Sequence, residues 1–226
     1  DRQLLNFIAT RETLSVARLV AQYQRGDRSH RLEVRLIQDS NGNGGSRLRK
    51  EVLLDGVKTP PGQVIGHFNA VIFLPQMTGI LEDGPEERRK YLNLCISQAN
   101  PAYARALADY NQALTQRNAL LKLLNDRGGD REQLNYWDEI IAARGSLLIT
   151  TRANVIQELE VVAKRVHERL TGSSEVLRLA YQTSYDPLPT PEGQFSLPLQ
   201  VQVQRNGLTQ EKVKQGFLAR LAEVRV

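Results

Sequence analysis

Leu134, Ile141, Leu148, Val155 and Val162 recur every seven residues, and Leu159 and Val166 fill the paired positions toward the end of the same segment. This spacing predicts one long helix over Arg131–Leu170. A helix of roughly forty residues reaches roughly 60 Å. No compact core covers that length, so the segment is expected to pack antiparallel on a preceding helix as a projecting arm. Gly145 lies in its middle, where glycine costs about 1 kcal/mol relative to alanine. Before it, the run Asn125–Asp130 (NDRGGD) supplies a tight break.

The preceding helix has its own signals. Asp83 and Gly84 make a turn, Pro85 suits a first helical turn, and Glu86 and Glu87 place negative charge at the positive end of the helix dipole. A second start follows at Asn100–Pro101. From there Leu107, Tyr110, Leu114, Leu121 and Leu124 form an apolar stripe, which Arg117 interrupts with a charge that needs a partner. The expectation is one short helix joined to one of about six turns, followed by the long one.

The first quarter reads as strands. Residues 14–23 are apolar and β-branched, with helix as the alternative; His30–Ile37 alternates, with Leu32, Val34 and Leu36 on one side and Arg31, Glu33 and Arg35 on the other; Leu48–Leu54 follows. Turns at Gly26–Asp27, Asp39–Ser46 and Asp55–Gly56 make these an antiparallel meander. Phe68–Leu74 is a continuous apolar run and predicts a strand buried on both faces. Later, Glu175–Tyr181 and Leu199–Gln204 read as strands around a Pro-rich loop over Asp186–Pro198, and Leu208–Val226 as an amphipathic helix. The fold class expected is α+β. An antiparallel sheet portion spans 1–83, a helical hairpin arm spans 84–171, and the strands and helix of 172–226 return to the first lobe.

Composition narrows the functional classes. Cys95 is the single cysteine, which excludes an internal disulfide and fits a reducing cytoplasm. There is no run long enough for a membrane-spanning helix. Net charge is +5, and through Lys58 eleven Lys/Arg stand against seven Asp/Glu. That basic stretch is compatible with nucleic-acid phosphates or, equally, with a solvated sheet face. His30, His67 and His167 lack metal-ligand spacing. No Gly-x4-Gly-Lys-Ser/Thr loop occurs, and Asp138–Glu139 follows polar residues in a helix, not an apolar strand, so it does not suit magnesium. Gly172 closes a helix and so lacks the amides that an anion-binding signature needs.

The run Gly84-Pro85-x-x-Arg88-Arg89-x-Tyr91-Leu92-Asn93 is followed by Pro101-x-Tyr103, and then by Tyr110-Asn111-x-x-Leu114-x-Gln116-Arg117-Asn118-x-Leu120-Leu121-Lys122. With Leu134-x-x-Trp137-Asp138, Gly145 and Arg152, it resembles the RecF family of bacterial DNA replication and repair ATPases, relatives of the SMC proteins and ABC-type ATPases. Asn93 stands where that family favours Asp. Phe73-Leu74-Pro75 resembles the family's Phe-x-Pro strand end, and Gln76 after it is a candidate for coupling a metal-nucleotide site to the helical lobe.

The resemblance implies the central part of such a protein, with the phosphate-binding loop upstream and the signature and magnesium-binding acidic pair downstream. No cofactor is expected in this segment; ATP and Mg²⁺ belong to the full-length family. The expected partners are DNA at gaps and junctions, RecO- and RecR-type mediators, and a second copy in an ATP-dependent dimer, with no membrane. For DNA contact the candidates are Arg88, Arg89 and Lys90, with Arg117 and Lys122 weaker and Arg117 better suited to tying two helices together. The rival expectation is an SMC-like structural module that dimerises through its helical arm.

Overall fold

The computed structural model describes residues 4–5, 14–41, 45–72, 74, 77, 79–183, 185 and 209–225. Two units divide the chain, one of Asp1–Glu87 with Ser97–Pro101, the other of Arg88–Ile96 with Ala102–Val226.

The first unit is built on the expected meander. Strands β1 (Leu14–Arg25), β2 (Arg28–Asn41), β3 (Gly45–Leu54) and the short β4 (Val57–Lys58) pair antiparallel in chain order. Gly26 turns β1 into β2 at φ 60°, and Asp55 and Gly56 turn β3 into β4 at φ 51° and 85°. Two successive positive φ values match the twist of a tight hairpin. Asp55 also accepts from the Arg31 amide (2.8 Å) and meets His30 Nδ1 (2.8 Å), so its side chain holds that corner. Register sets Leu36 opposite Ala17 and Lys50, and Val34 opposite Leu19 and Val52. Leu36 and Val52 are buried, as the alternation of β2 predicts.

Two expected strands do not form. Residues 68–72 and 74 carry no regular structure, and Val71 is fully exposed where burial on both faces was expected. After the short helix α1 (Pro61–Val64), the chain instead lies against the turn end of the sheet. Arg25 Nη1 donates to the Gly66 carbonyl (3.0 Å), Phe68 meets the Tyr23 ring (5.2 Å), and the Ala70 amide donates to Gln98 Oε1 (3.0 Å). An apolar run requires cover, but a strand also requires a neighbouring ladder. Among the described residues none is paired with it. Likewise 176–183 forms no strand; it runs along the long helix, with Arg178 paired to Glu160 (3.2 Å) and Tyr181 reached by Arg152. Gln76, the Pro-rich loop and the strand expected at Leu199–Gln204 lie outside the described residues.

After α2 (Gly79–Glu82), α3 (Pro85–Ala99) and α4 (Pro101–Arg127) are the expected short and long helices, divided at Asn100. A 3₁₀ turn at Arg131–Leu134, capped by the Asp130 carboxylate, leads into α5 (Asn135–Thr171). The hairpin is antiparallel. Arg117–Asp138, Asp109–Arg144 and Tyr103–Arg152 pair in steps, descending α4 while ascending α5. The buried ridge of α4 includes Ala106 and Ala113, whose small side chains let the helices approach.

The heptad seam is covered only in part. Leu134, Ile141 and Leu148 are buried, whereas Val162 is 55% exposed. Gly172 ends α5 in the left-handed conformation (φ 60°), as the sequence requires.

The C-terminal segment forms helix α6 (Gln210–Glu223). It packs on α5 in the second unit, with Val213 and Leu221 buried and Leu221 joined to Ala113, Ile141 and Ala142. Gly145 explains the fit, because a Cβ there would stand 2.5 Å from the Phe217 ring and 3.2 Å from Tyr110. The glycine that weakens α5 locally is the notch through which α4 and α6 both reach it.

Candidate nucleic-acid interface

Arg88, Arg89 and Lys90 occupy consecutive exposed positions in the first turns of α3. Arg88 and Lys90 have interactions within the chain. Successive helical residues lie about 100° apart, so the three cations fan across half the circumference of α3 instead of making one face. Lys122 is exposed on α4.

Arg117 is not on the surface. It is 6% exposed, and its Nε donates to Asp138 Oδ1 at 2.5 Å. Asp138, 1% exposed, also accepts from Arg225 Nε (2.9 Å) and Nη2 (2.6 Å), just past the end of α6. Arg117 Nη2 approaches the Leu221 carbonyl (3.5 Å), and Arg131 donates to the Arg225 carbonyl. The charge interrupting the stripe therefore has its partner, and one carboxylate ties three helices together.

A second polar knot lies along the same hairpin. The Tyr103 hydroxyl donates to Asn93 Oδ1 (2.6 Å) and accepts from Arg152 Nε (2.8 Å). Arg152 Nη2 donates to the same Asn93 oxygen (2.7 Å), and Nη1 to the Tyr181 hydroxyl (3.4 Å). Tyr103 is fully buried, and desolvation pushes its phenol above the ordinary range, which keeps it a neutral donor. Ile96, Ala106 and Leu148 pack around it.

The basic region lies on the sheet. On the face opposite Leu36, Arg18 of β1 stands directly across from Arg35 of β2. Like charges so placed repel. Glu33 relieves this by accepting from Arg18 Nε and Nη2 (2.7 and 2.8 Å), Arg35 Nε (2.7 Å) and Arg31 Nη2 (3.2 Å). Its side chain is 7% exposed, beneath guanidiniums that are 39–51% exposed. The hydrogen bonds from Arg18 and then Arg35 hold its carboxyl down to about 2. Sequence alternation set Arg31, Glu33 and Arg35 on one face, but it did not identify Arg18, whose place depends on the β1–β2 register.

A depressed carboxyl stabilises the fold fully above the ordinary carboxylate range and loses that contribution as pH falls through its folded value. The stability gap between wild type and Glu33→Gln is therefore expected to be constant at neutral pH and to close between about 4.5 and about 2. Urea unfolding at stepped pH measures it; a gap independent of pH in that interval would show that the arginines do not depend on the ionised form.

No family model matches the chain. Several curated proteins do, each described as DNA replication and repair protein RecF. The one from Chloroflexus aurantiacus is 34% identical over 196 residues, covering 82% of this chain and 50% of its own length. That from Lacticaseibacillus casei is 32% identical over 189 residues, 83% of this chain and 47% of its own. That from Acetivibrio thermocellus is 36% identical over 125 residues, 55% and 34% respectively. The chain thus spans about half the length, or less, of the curated relatives it matches. A solved structure of the recombination mediator protein RecF with ATPrS in the RecFOR pathway superposes with TM-score 0.68 at 24% identity, over 95% of this chain and 50% of that one.

Proposed function

Because this chain is a segment of the RecF family, spanning about half the length of its relatives, we propose that it supplies the DNA-contacting and helical-lobe part of a RecF-like replication and recombination-repair ATPase. One observation carries this reading. The separated clusters through which the chain resembles the family close on one another in space, Asn93 and Tyr103 on Arg152, and Arg117 on Asp138. Residues of a shared motif that meet as buried or part-buried bonds serve the architecture of the helical unit and leave contact with DNA to exposed cations.

In this reading ATP and Mg²⁺ serve the full-length protein through residues other than these. No Gly-x4-Gly-Lys-Ser/Thr string and no apolar strand ending in Asp-Glu occurs in the sequence. Transfer of a phosphoryl group needs such cations beside its oxygens. The 226-residue polypeptide is expected to retain DNA at low salt and to release no phosphate from ATP. Measurable, protein-dependent phosphate release would overturn the second half of that statement, and failure to retain any DNA the first. RecO- and RecR-type mediators, ATP-dependent pairing with a second copy and a cytoplasmic setting complete the proposal. No described helix is long and apolar enough to cross a membrane.

A second reading has its own observation. Beyond the covered part of the heptad, Leu159, Val162, Val166 and Leu170 are 41%, 55%, 42% and 80% exposed along α5. An SMC-like module would pair through this stripe. A stable dimer in sedimentation without nucleotide would favour it over the DNA-binding reading.

A further inference from the structure

We propose that the face of the sheet carrying Arg18, Arg31, Arg35, Arg47 and Arg49 seats the phosphate backbone of double-stranded DNA. The inference rests on the DNA-binding reading above and goes beyond it by moving the contact surface from α3 to the sheet. Side chains alternate along strands, and the register sets Arg47 opposite Asp39 and Arg49 opposite Ile37, so these five cations share the side that bears Glu33. Lys58 on the neighbouring strand is taken up by Glu51 (2.7 Å), and the single Glu33 carboxylate is divided among three guanidiniums. The face keeps an excess of positive charge. The guanidiniums of Arg18, Arg31 and Arg35 are held in place before any ligand arrives, which lowers their ordering cost on binding.

The choice of duplex over single strand follows from what stands between the cations. The described positions of this face in β1–β3 are filled by Val16, Val20, Gln22 and Ile37 among others, and none is aromatic. Tyr23 and His30 fall on the opposite side, stacked on each other at 5.5 Å. Unstacked bases need aromatic platforms, whereas duplex phosphates need only an ordered row of donors.

The test uses the whole 226-residue chain. Fluorescence anisotropy with a 30-base-pair duplex and a matched single strand, over a series of salt concentrations, gives the slope of log affinity against log salt. Arg47→Gln/Arg49→Gln leaves the Glu33 cluster intact, and circular dichroism checks that the sheet persists. Each lost phosphate contact lowers the slope by about 0.9, so the double variant is expected to lower it by up to about 1.8. Arg88→Gln/Arg89→Gln should leave it unchanged. Duplex binding whose slope is unaffected by the strand variant overturns the inference while leaving the DNA-binding reading intact. Single-strand binding equal to or tighter than duplex overturns it as well. A wild-type chain that holds no DNA at low salt overturns both.

Discussion

Asp138→Ala is expected to cost the helical unit about 3–5 kcal/mol of unfolding free energy. The carboxylate is 1% exposed and receives three hydrogen bonds from Arg117 and Arg225. Removing it strands the Arg117 guanidinium, itself 6% exposed, with no counterion in a site that water hardly reaches. The penalty is therefore the desolvation of an unpaired charge, which exceeds the net value of the pair. That distinction sets the control. Arg117→Met/Asp138→Leu removes both buried charges and leaves Arg225, whose side chain is 22% exposed, to solvent; at similar volume such replacements are often close to neutral. Denaturant unfolding followed by circular dichroism measures both variants. Hydrogen exchange over Gln210–Glu223 should quicken in both variants, since Arg225 loses its carboxylate in each, so the global loss and not the fraying of α6 separates them. A loss below about 1 kcal/mol would place the pair in the class of solvated surface bridges.

Tyr103→Ala is the second large effect, about 3–5 kcal/mol, and it divides into parts. The ring is fully buried between α3, α4 and α5, so truncation leaves a cavity beside Ile96, Ala106 and Leu148. Its hydroxyl also links Asn93 to Arg152. Tyr103→Phe keeps the ring and removes only that link, for an expected loss of about 1–2 kcal/mol. Asn93→Asp should move stability the other way, because it gives Arg152 a carboxylate where an amide oxygen now accepts (2.7 Å). Equal losses for the alanine and phenylalanine variants would mean that the polar knot, and not packing, holds the three helices.

Much of this arrangement was legible in the residues, for local reasons. Alternation in His30–Ile37 and the turn residues around it fix β1–β3, because neighbouring strands joined by tight turns have few other pairings available. The heptad of α5 and the misplaced charge in the stripe of α4 likewise pointed to a hairpin with a buried bond across it. What failed was long-range. Phe68–Leu74 and Glu175–Tyr181 have strand-like composition, yet composition carries no information about whether a ladder partner is present. Glu33 looked like one of several solvated charges because its chief partner, Arg18, arrives through the register of a hairpin. The docking of α6 on α5 includes one ring meeting one missing Cβ, and the signal for that contact was a glycine in mid-helix.

Helix α5 has 37 residues against 27 in α4, and it remains unbroken to its left-handed end. Tyr103, near the start of α4, meets Arg152, so about 25 Å of α5 beyond that level outruns the helix it is folded against. A continuous hydrogen-bonded helix passes much of a load at its tip along its length. Force applied near Leu170 acts on the two polar knots as torque on a lever does on its fulcrum, so a small push at the tip is felt as rotation at Arg152 and Asp138.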